Sequence, residues 1–194
     1  RNPDPAYRER AFNRILEAAQ RATSITGGML GLSRPGRDPN HREPIDLNRL
    51  IDEVVMLIGK DLNRHNVRLE VQMTSRLFAK VNPAQIQQVL INLLINARQA
   101  MPQGGRLTIR SRPVSLPRGG GRPTHVAIEV QDTGAGMSAE QRRKAFSSVL
   151  STTKTKGTGL GLAIVGRVAE THRGKLKLKS RPGQGTTVTL ILPV

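Results

Sequence analysis

The chain has 194 residues, enough for one ordinary domain and an appendage, and it has no cysteine. The missing cysteine excludes disulfides, thiolate metal sites and a cysteine nucleophile. The net charge of +17 favours anionic ligands in general, but an aromatic content of only 2% argues against the stacking sites of single-strand nucleic-acid binders.

The first part of the chain predicts one helix followed by a linker. Apolar residues at alternating three- and four-residue steps predict a helix over residues 11–32, with an apolar seam of about three heptads. The Pro- and Arg-rich segment after it predicts a domain boundary. We therefore expect an N-terminal unit at 1–34, a linker at 35–43 and a second domain at 44–194.

The second domain is predicted to begin with a helix and two strands. Asp46 can cap a helix that runs to about Asn63. Alternating apolar residues predict a strand over 67–73, and a short strand is expected over 78–81. The helix residues expected to face inward are Leu47, Leu50, Ile51, Val54, Leu57 and Ile58.

The most informative stretch is the predicted helix from Asn82 to Met101. Asn82 can cap its first turn, and Pro83 suits the first helical position. Its apolar face consists of Ile86, Val89, Leu90, Leu93, Leu94 and Ala97. Another face carries only amides, at Gln85, Gln88, Asn92, Asn96 and Gln99. Because Asn oxygens can coordinate a hard cation such as Mg²⁺, this face is either a metal and phosphate site or the polar side of an ordinary amphipathic helix.

The rest of the domain mixes strands and helices without strict alternation. Short helices are expected from Ser138 to about Phe146 and from the glycine-rich turn near 157–161 to Gly174. The expected strands are 106–112, 125–131, 175–180 and 186–192. This order predicts an α+β fold, an α/β sandwich with one mixed sheet and helices on one face.

The glycine-rich turn GTGLG at 157–161 suits phosphate binding. Glycines allow backbone N–H groups to approach an anion, and the following helix presents its positive end. The turn is not a dinucleotide fingerprint, because no strand directly precedes it, and it lacks the GK[ST] ending of a P-loop. By itself, so short a motif is a weak indication.

Four motifs in a fixed order are far more specific. They are NLLINA at 92–97, DTGAGM at 132–137, GTGLGLAIV at 157–165 and GQGT at 183–186. Together they resemble the ATP-binding domain of bacterial sensor histidine kinases, whose superfamily includes DNA gyrase, mismatch-repair and heat-shock chaperone ATPases. The resemblance covers about 44–194 and implies a Bergerat-type ATP-binding fold. Residues 1–34 resemble the turn and second helix of the dimerisation hairpin.

The resemblance implies a role for each motif. Asn96 would coordinate Mg²⁺, Asn92 would act near the phosphates, and Asp132 would accept a hydrogen bond from the adenine amino group. Lys154, in a lid over the nucleotide, would act on the γ-phosphate. The other residues expected to bind ATP are Gly134, Gly136, Thr152, Thr153, Gly157, Thr158, Gly159, Leu160, Gly161 and Thr186. The alternatives are that Asp132 only caps a turn and that Lys154 is only solvated.

Position 92 distinguishes the subclasses of this superfamily. In the hydrolysing ATPases, a Glu one turn before the metal-binding Asn acts as general base. The amide of Asn92 cannot accept a proton at neutral pH, so we expect the γ-phosphoryl to be kept for a protein acceptor. That acceptor would be a His on a hairpin helix outside this chain. His41, His65, His125 and His172 lack the acidic-then-Pro context of the acceptor and are interpreted as structural or solvated.

The expected partners are a response-regulator receiver domain and a second copy in the full-length protein, with no nucleic acid. No membrane segment or signal peptide is recognised, so we expect a cytoplasmic location, free or as part of a membrane-anchored sensor. In the lid, the segment that begins at Phe146 lacks the Pro found in the family pattern. This departure and the absent acceptor prompt one alternative, a nucleotide-binding regulatory module without transfer activity. Another is nucleic-acid binding through a basic surface that includes Arg118, Arg122, Lys175, Lys177 and Lys179.

Overall fold

A computed structural model describes residues 41–74, 76–115, 123–145 and 160–194. The elements in these ranges are β1 (Glu43–Asp46), α1 (Leu47–Arg64), β2 (Val67–Met73), β3 (Phe78–Val81), α2 (Pro83–Ala100), β4 (Gly105–Val114), β5 (His125–Asp132), α3 (Ala139–Lys144), α4 (Leu160–Thr171), β6 (Lys175–Ser180) and β7 (Thr186–Pro193). The helix predicted over 11–32 lies outside the described residues. None of the described helices is long and apolar enough to cross a membrane.

Five strands form one mixed sheet in the order β2-β4-β5-β7-β6. β2 pairs parallel with β4, whereas the other three pairings are antiparallel. Strands β1 and β3 form a separate antiparallel pair. Helices α1, α2 and α4 share one apolar core with the large sheet. The predicted α+β sandwich with a mixed sheet is confirmed.

The helix starts follow from local capping chemistry. Asp46 Oδ1 accepts the N–H of Asn48 at 3.1 Å, and Asn82 Oδ1 accepts the N–H of Gln85 at 3.1 Å. At α3, Ser138 and Gln141 form a reciprocal capping box. These side chains satisfy N–H groups that have no partner within the helix, so the starts predicted at Asp46, Asn82 and Ser138 are confirmed.

Helix α2 is the central helix of the domain. All six residues of its predicted apolar face are buried, with exposures between 0% and 3%. Burying a large aliphatic side chain contributes about 1.5–3 kcal/mol, so this face anchors the helix firmly. Helix α2 packs against both α1 and α4. Its amide face is thereby held in a fixed position relative to α4.

At the start of the domain one prediction is wrong and one element was missed. Leu57 was expected to face inward but is 70% exposed. It lies at the edge of the buried stripe of α1, which runs through Leu50, Val54 and Ile58. Strand β1 was not predicted at all. It forms because Glu43–Asp46 pairs with β3, a partner that local sequence patterns do not reveal.

Strand β6 lies at an edge of the sheet and exposes alternate lysines. Lys175, Lys177 and Lys179 are exposed, whereas Leu176 and Leu178 pack against the core. Charged side chains at alternate positions discourage another strand from pairing with an open edge. Edge protection therefore accounts for these lysines without a nucleic-acid ligand.

Candidate functional site

Three neighbouring strands place one polar side chain each at the same end of the sheet. Asp132 of β5 lies opposite Thr186 of β7, and Thr186 lies opposite Ser180 of β6. Their exposures are only 6–7%. The same cross-strand row continues at Leu107 of β4, which belongs to the core beneath the helices. The helix-facing side of the sheet therefore ends in a buried polar row.

The carboxylate of Asp132 is held by two backbone N–H groups. Its Oδ1 accepts from Gly134 at 2.8 Å and from Thr186 at 3.2 Å. The bond from Gly134 caps the turn after β5, which is the alternative role that the sequence left open for Asp132. The second joins β5 to β7 across 54 positions of sequence. Asp132 therefore does more than cap its own turn.

Glycines let the turn after β5 pack closely against its neighbours. A Cβ on Gly134 would lie 2.5 Å from the carbonyl oxygen of Ala100, at the end of α2. Gly136 has a φ of +68°, and a Cβ there would lie 1.9 Å from the carbonyl oxygen of Arg181. Only glycine combines this backbone conformation with such close approach. The turn is thus packed between α2 and the β6–β7 hairpin.

Two amides of α2, Asn92 and Asn96, lie one turn apart, and the second lies beside the start of α4. Asn92 is 9% exposed, and in the described part of the chain its Nδ2 is a buried donor with no hydrogen-bond partner. One turn later, the amide of Asn96 lies beside Gly161, where a Cβ would be 3.1 Å from Asn96 Nδ2 and 3.4 Å from Oδ1. A buried N–H without a partner is costly, so Asn92 suits an anionic oxygen supplied by a ligand.

The residues present fit a magnesium ion held jointly with phosphates. No group of three or more His, Asp or Glu that could hold a metal occurs among the described residues. Mg²⁺ commonly takes only one or two protein oxygens, with phosphates and waters completing its coordination. The partly buried amide of Asn96, close to the start of α4, is a donor of the required kind.

The predicted site residues thus divide into three groups. The structure brings Asp132, Gly134, Gly136 and Thr186 together at one end of the sheet. It brings Asn96 and Gly161 together between α2 and α4, with Asn92 one turn before Asn96 on α2. Leu160 is the first residue of α4, but its side chain is not described. Six further predicted residues lie outside the described ranges: Thr152, Thr153, Lys154, Gly157, Thr158 and Gly159.

Sequence reasoning did not predict the contacts of two residues that support this arrangement, Ser180 and His172. Ser180 Oγ lies 3.0 Å from Thr186 Oγ1, a contact that only the pairing register of β6 and β7 could have revealed. His172, 2% exposed, joins α4 to the start of α2 through hydrogen bonds at both ring nitrogens. Burial lowers the pKa of His172, and the positive charge of Arg42 acts in the same direction. Its interpretation as a structural histidine fits these contacts.

Comparison with known proteins places this chain in a family. Residues 81–194 match the family described as histidine kinase-, DNA gyrase B- and HSP90-like ATPase. Sensor histidine kinase ZraS of Escherichia coli (strain K12) is 35% identical over 183 residues, which are 93% of this chain and 37% of ZraS. The chain therefore spans little more than a third of that relative.

Solved structures agree in fold over most of the chain. The catalytic domain of histidine kinase ThkA has a TM-score of 0.69 and 30% identity, covering 78% of this chain and 95% of that one. A second ThkA structure, in complex with response regulator protein TrrA, has a TM-score of 0.70 and 25% identity, covering 99% of this chain and 53% of that one.

Proposed function

Because the chain belongs to the histidine kinase-, DNA gyrase B- and HSP90-like ATPase family, we propose that it is the ATP-binding catalytic part of a sensor histidine kinase. The γ-phosphoryl of ATP passes to a His on a hairpin helix outside this chain, and then to an Asp of a response-regulator receiver domain. In the first step the bond from the γ-phosphorus to ADP breaks as an imidazole nitrogen bonds to that phosphorus.

The buried carboxylate of Asp132 is the observation that carries this proposal. Two backbone N–H groups hold one of its oxygens in a fixed orientation at the end of the sheet. The glycines at 134 and 136 remove the side chains that would otherwise crowd the turn beside it. A fixed acceptor at this end of the sheet suits the amino group of adenine, as the resemblance implies for Asp132. Thr186 closes the same end of the base site.

Asn92 and Asn96 form the phosphate end of the proposed site. The oxygen of Asn96 binds Mg²⁺, which neutralises charge on the phosphates when it is present. The Nδ2 of Asn92, a buried donor with no partner among the described residues, donates to a phosphate oxygen. Gly161 keeps the start of α4 free of a side chain beside Asn96. Gly157, Thr158, Gly159 and Leu160 complete the phosphate loop in this proposal, and Thr152, Thr153 and Lys154 belong to the lid.

The residue at position 92 favours transfer over hydrolysis. Hydrolysis needs a base that takes a proton from the attacking water, and an amide cannot do so at neutral pH. Transfer to an imidazole needs no such base, because the attacking nitrogen of neutral imidazole carries a lone pair and, unlike the oxygen of water, no proton. Positioning and charge neutralisation then supply the catalysis.

Partners follow from the same proposal. A receiver domain accepts the phosphoryl group, and the ThkA–TrrA complex supports a partner of this class. The proposed division places a partial dimerisation hairpin at 1–34, a linker at 35–43 and the catalytic domain at 44–194. A second copy completes the helical bundle in the full-length protein.

Calorimetric titration with ATP, with and without Mg²⁺, tests the nucleotide site. We expect Mg²⁺-dependent binding by the chain and much weaker binding by Asp132→Asn, whose amide would present a donor or a weaker acceptor to the base. Leu57→Ala serves as a control, because Leu57 is exposed on α1. No binding by the unsubstituted chain would refute the proposal.

Phosphoryl transfer is tested separately with a longer chain that includes the first hairpin helix. Labelled phosphate from [γ-³²P]ATP should appear on that chain as an acid-labile, alkali-stable phosphohistidine. Binding of ATP without any transfer would refute the kinase activity but keep the nucleotide site.

A further inference from the structure

We infer that Ser180 sets the base specificity of the proposed ATP site by fixing the direction of the Thr186 hydroxyl. The inference rests on the proposed function, because it requires Asp132 and Thr186 to face the nucleotide base. The hydrogen bonds from which it is argued are observed in the structure and do not depend on that proposal. The chain links Ser180, Gly185 and Thr186 at the end of the β6–β7 hairpin.

The single proton of Ser180 is committed to a carbonyl. Ser180 Oγ lies 2.9 Å from the carbonyl oxygen of Gly185, which can only accept a hydrogen bond. Ser180 Oγ also lies 3.0 Å from Thr186 Oγ1. Because Ser180 has no second proton, the Thr186 hydroxyl must donate in that contact. Thr186 therefore has only lone pairs left to offer to a ligand.

Asp132 adds a second acceptor in the adjacent position. Its Oδ1 lies 3.2 Å from the backbone nitrogen of Thr186, and the two residues are paired in the sheet. An ionised carboxylate can only accept hydrogen bonds. Both residues lie on the buried polar row, where water competes poorly. This end of the site therefore suits a group that donates.

The chemistry of the purine 6-position decides which bases meet that requirement. The 6-amino group of adenine carries two N–H donors. The 6-oxo group of hypoxanthine or guanine carries only lone pairs, which would face the carboxylate and the hydroxyl oxygen with no proton between them. An analogue that leaves buried polar groups of the site without hydrogen-bond partners binds much more weakly. Ser180 enforces this rejection without touching the base.

The alternative is that Ser180 only stabilises the hairpin. In that case its removal would weaken the fold, or lower the affinity for every nucleotide to the same extent. A comparison of ATP with ITP separates the two roles, since the ITP base carries an oxo group at position 6 in place of the amino group. The ratio of the two dissociation constants responds to the direction of the hydroxyl and not to a general loss of affinity.

The experiment is a titration of the full chain with Mg-ATP and with Mg-ITP, in the unsubstituted protein and in Ser180→Ala. We expect the unsubstituted protein to prefer ATP. In Ser180→Ala the Thr186 hydroxyl is free to rotate and donate to the oxo group. The preference should fall on the order of tenfold, mainly through tighter binding of ITP.

Thr186→Val is the matched control. It removes the hydroxyl altogether, so ATP should bind more weakly, and ITP should gain less than in Ser180→Ala because no hydroxyl is left to donate to its oxo group. Thermal unfolding of each variant shows whether it is folded at the temperature of the titration. Ser180→Cys, close in size and with weaker hydrogen bonds, replaces Ser180→Ala if that variant does not fold.

The possible outcomes are distinct. An unchanged preference in folded Ser180→Ala, or an equal loss for both nucleotides, would overturn the role of Ser180. Equal affinity of the unsubstituted protein for ATP and ITP would also overturn it, while the ATP site would stand. Failure of the unsubstituted protein to bind either nucleotide would instead refute the proposed function.

Discussion

The imidazole of His172, at the end of α4, accepts the backbone N–H of Asn82, at the start of α2, through Nε2 at 3.0 Å. Its Nδ1 lies 2.8 Å from the carbonyl oxygen of Val168 and donates to it. Both bonds require a neutral ring with its proton on Nδ1. The two helices that carry Asn96 and Gly161 are thereby joined at the ends remote from the phosphate site.

The stability of the domain should depend on the protonation of His172. Burial, the largest cause, lowers its pKa below the ordinary 6.5, and Arg42 acts in the same direction against the bond to Val168. The unfolded chain therefore binds the extra proton at a higher pH than the folded one. The stabilisation is complete above pH 6.5 and is lost as the pH falls through the lower folded pKa. Urea unfolding between pH 7.5 and 5 measures this loss.

His172→Leu provides the reference for that titration. At pH 7.5 it should lower the free energy of unfolding by about 1–3 kcal/mol, because it removes two hydrogen bonds, one from the N–H of Asn82 and one to the carbonyl oxygen of Val168. Its stability should fall less steeply towards pH 5 than that of the unsubstituted protein. His172→Gln, which can accept from Asn82 without titrating, should recover part of the stability. Identical pH slopes in all three proteins would contradict the prediction.

Gly185→Ala should disrupt the end of the β6–β7 hairpin and the base site with it. Gly185 has a φ of +75°, and a Cβ there would lie 2.0 Å from the carbonyl oxygen of Asp132. Backbone strain and the clash together should cost more than about 3 kcal/mol. Gly183→Ala is the control, since φ is +72° but no atom lies within 4 Å, so only about 1–2 kcal/mol is expected. Equal thermal shifts for the two variants would show that the close approach does not matter.

Local chemistry made much of this fold predictable. The caps at Asp46 and Asn82 and the apolar face of α2 depend on residues within one or two turns, and all were predicted correctly. Strand β1 and the exposure of Leu57 depend on contacts with distant segments, which the local pattern does not contain. The same limit applies to Ser180, whose partners are fixed by the pairing of two strands.

The candidate site was predicted from motif order and not from geometry. The motifs singled out Asp132 and Asn96, and the structure adds their surroundings: two backbone N–H groups hold the first, and the second lies beside Gly161. His172 carries no motif that marks it. Its role depends on a hydrogen bond between residues 90 positions apart, which no spacing rule could reveal.

Gly59→Ala should stabilise the protein. Gly59 lies inside α1, and a Cβ there would meet no atom within 4 Å. Alanine lowers the conformational entropy of the unfolded chain, so a gain of about 0.5–1 kcal/mol is expected. Calorimetric unfolding should show a higher Tm with unaltered ATP affinity, because Gly59 lies on a helix away from the proposed site. A lower Tm would mean that α1 does not tolerate the added methyl group.

Asn92→Glu should convert the proposed kinase site towards hydrolysis. In hydrolysing members of the superfamily a Glu occupies this position, one turn before the metal-binding Asn, and acts as base on the attacking water. General bases typically contribute on the order of 10²- to 10⁴-fold in rate, so a rise in ATP hydrolysis of at least about tenfold is expected even with imperfect placement. Release of inorganic phosphate under saturating ATP and Mg²⁺ measures it.

Asn92→Gln is the control that separates the effect of the carboxylate base from the effect of the longer side chain. Gln is as long as Glu and fills the same buried position, but its amide cannot take a proton. Because Asn92 is only 9% exposed, both variants crowd the site equally, and both should bind ATP more weakly than the unsubstituted protein. ATP bound to both variants but hydrolysed no faster by Asn92→Glu than by Asn92→Gln would contradict the prediction. It would show that the lack of a general base at position 92 is not what limits attack by water. The preference for transfer would then have to originate elsewhere in the site.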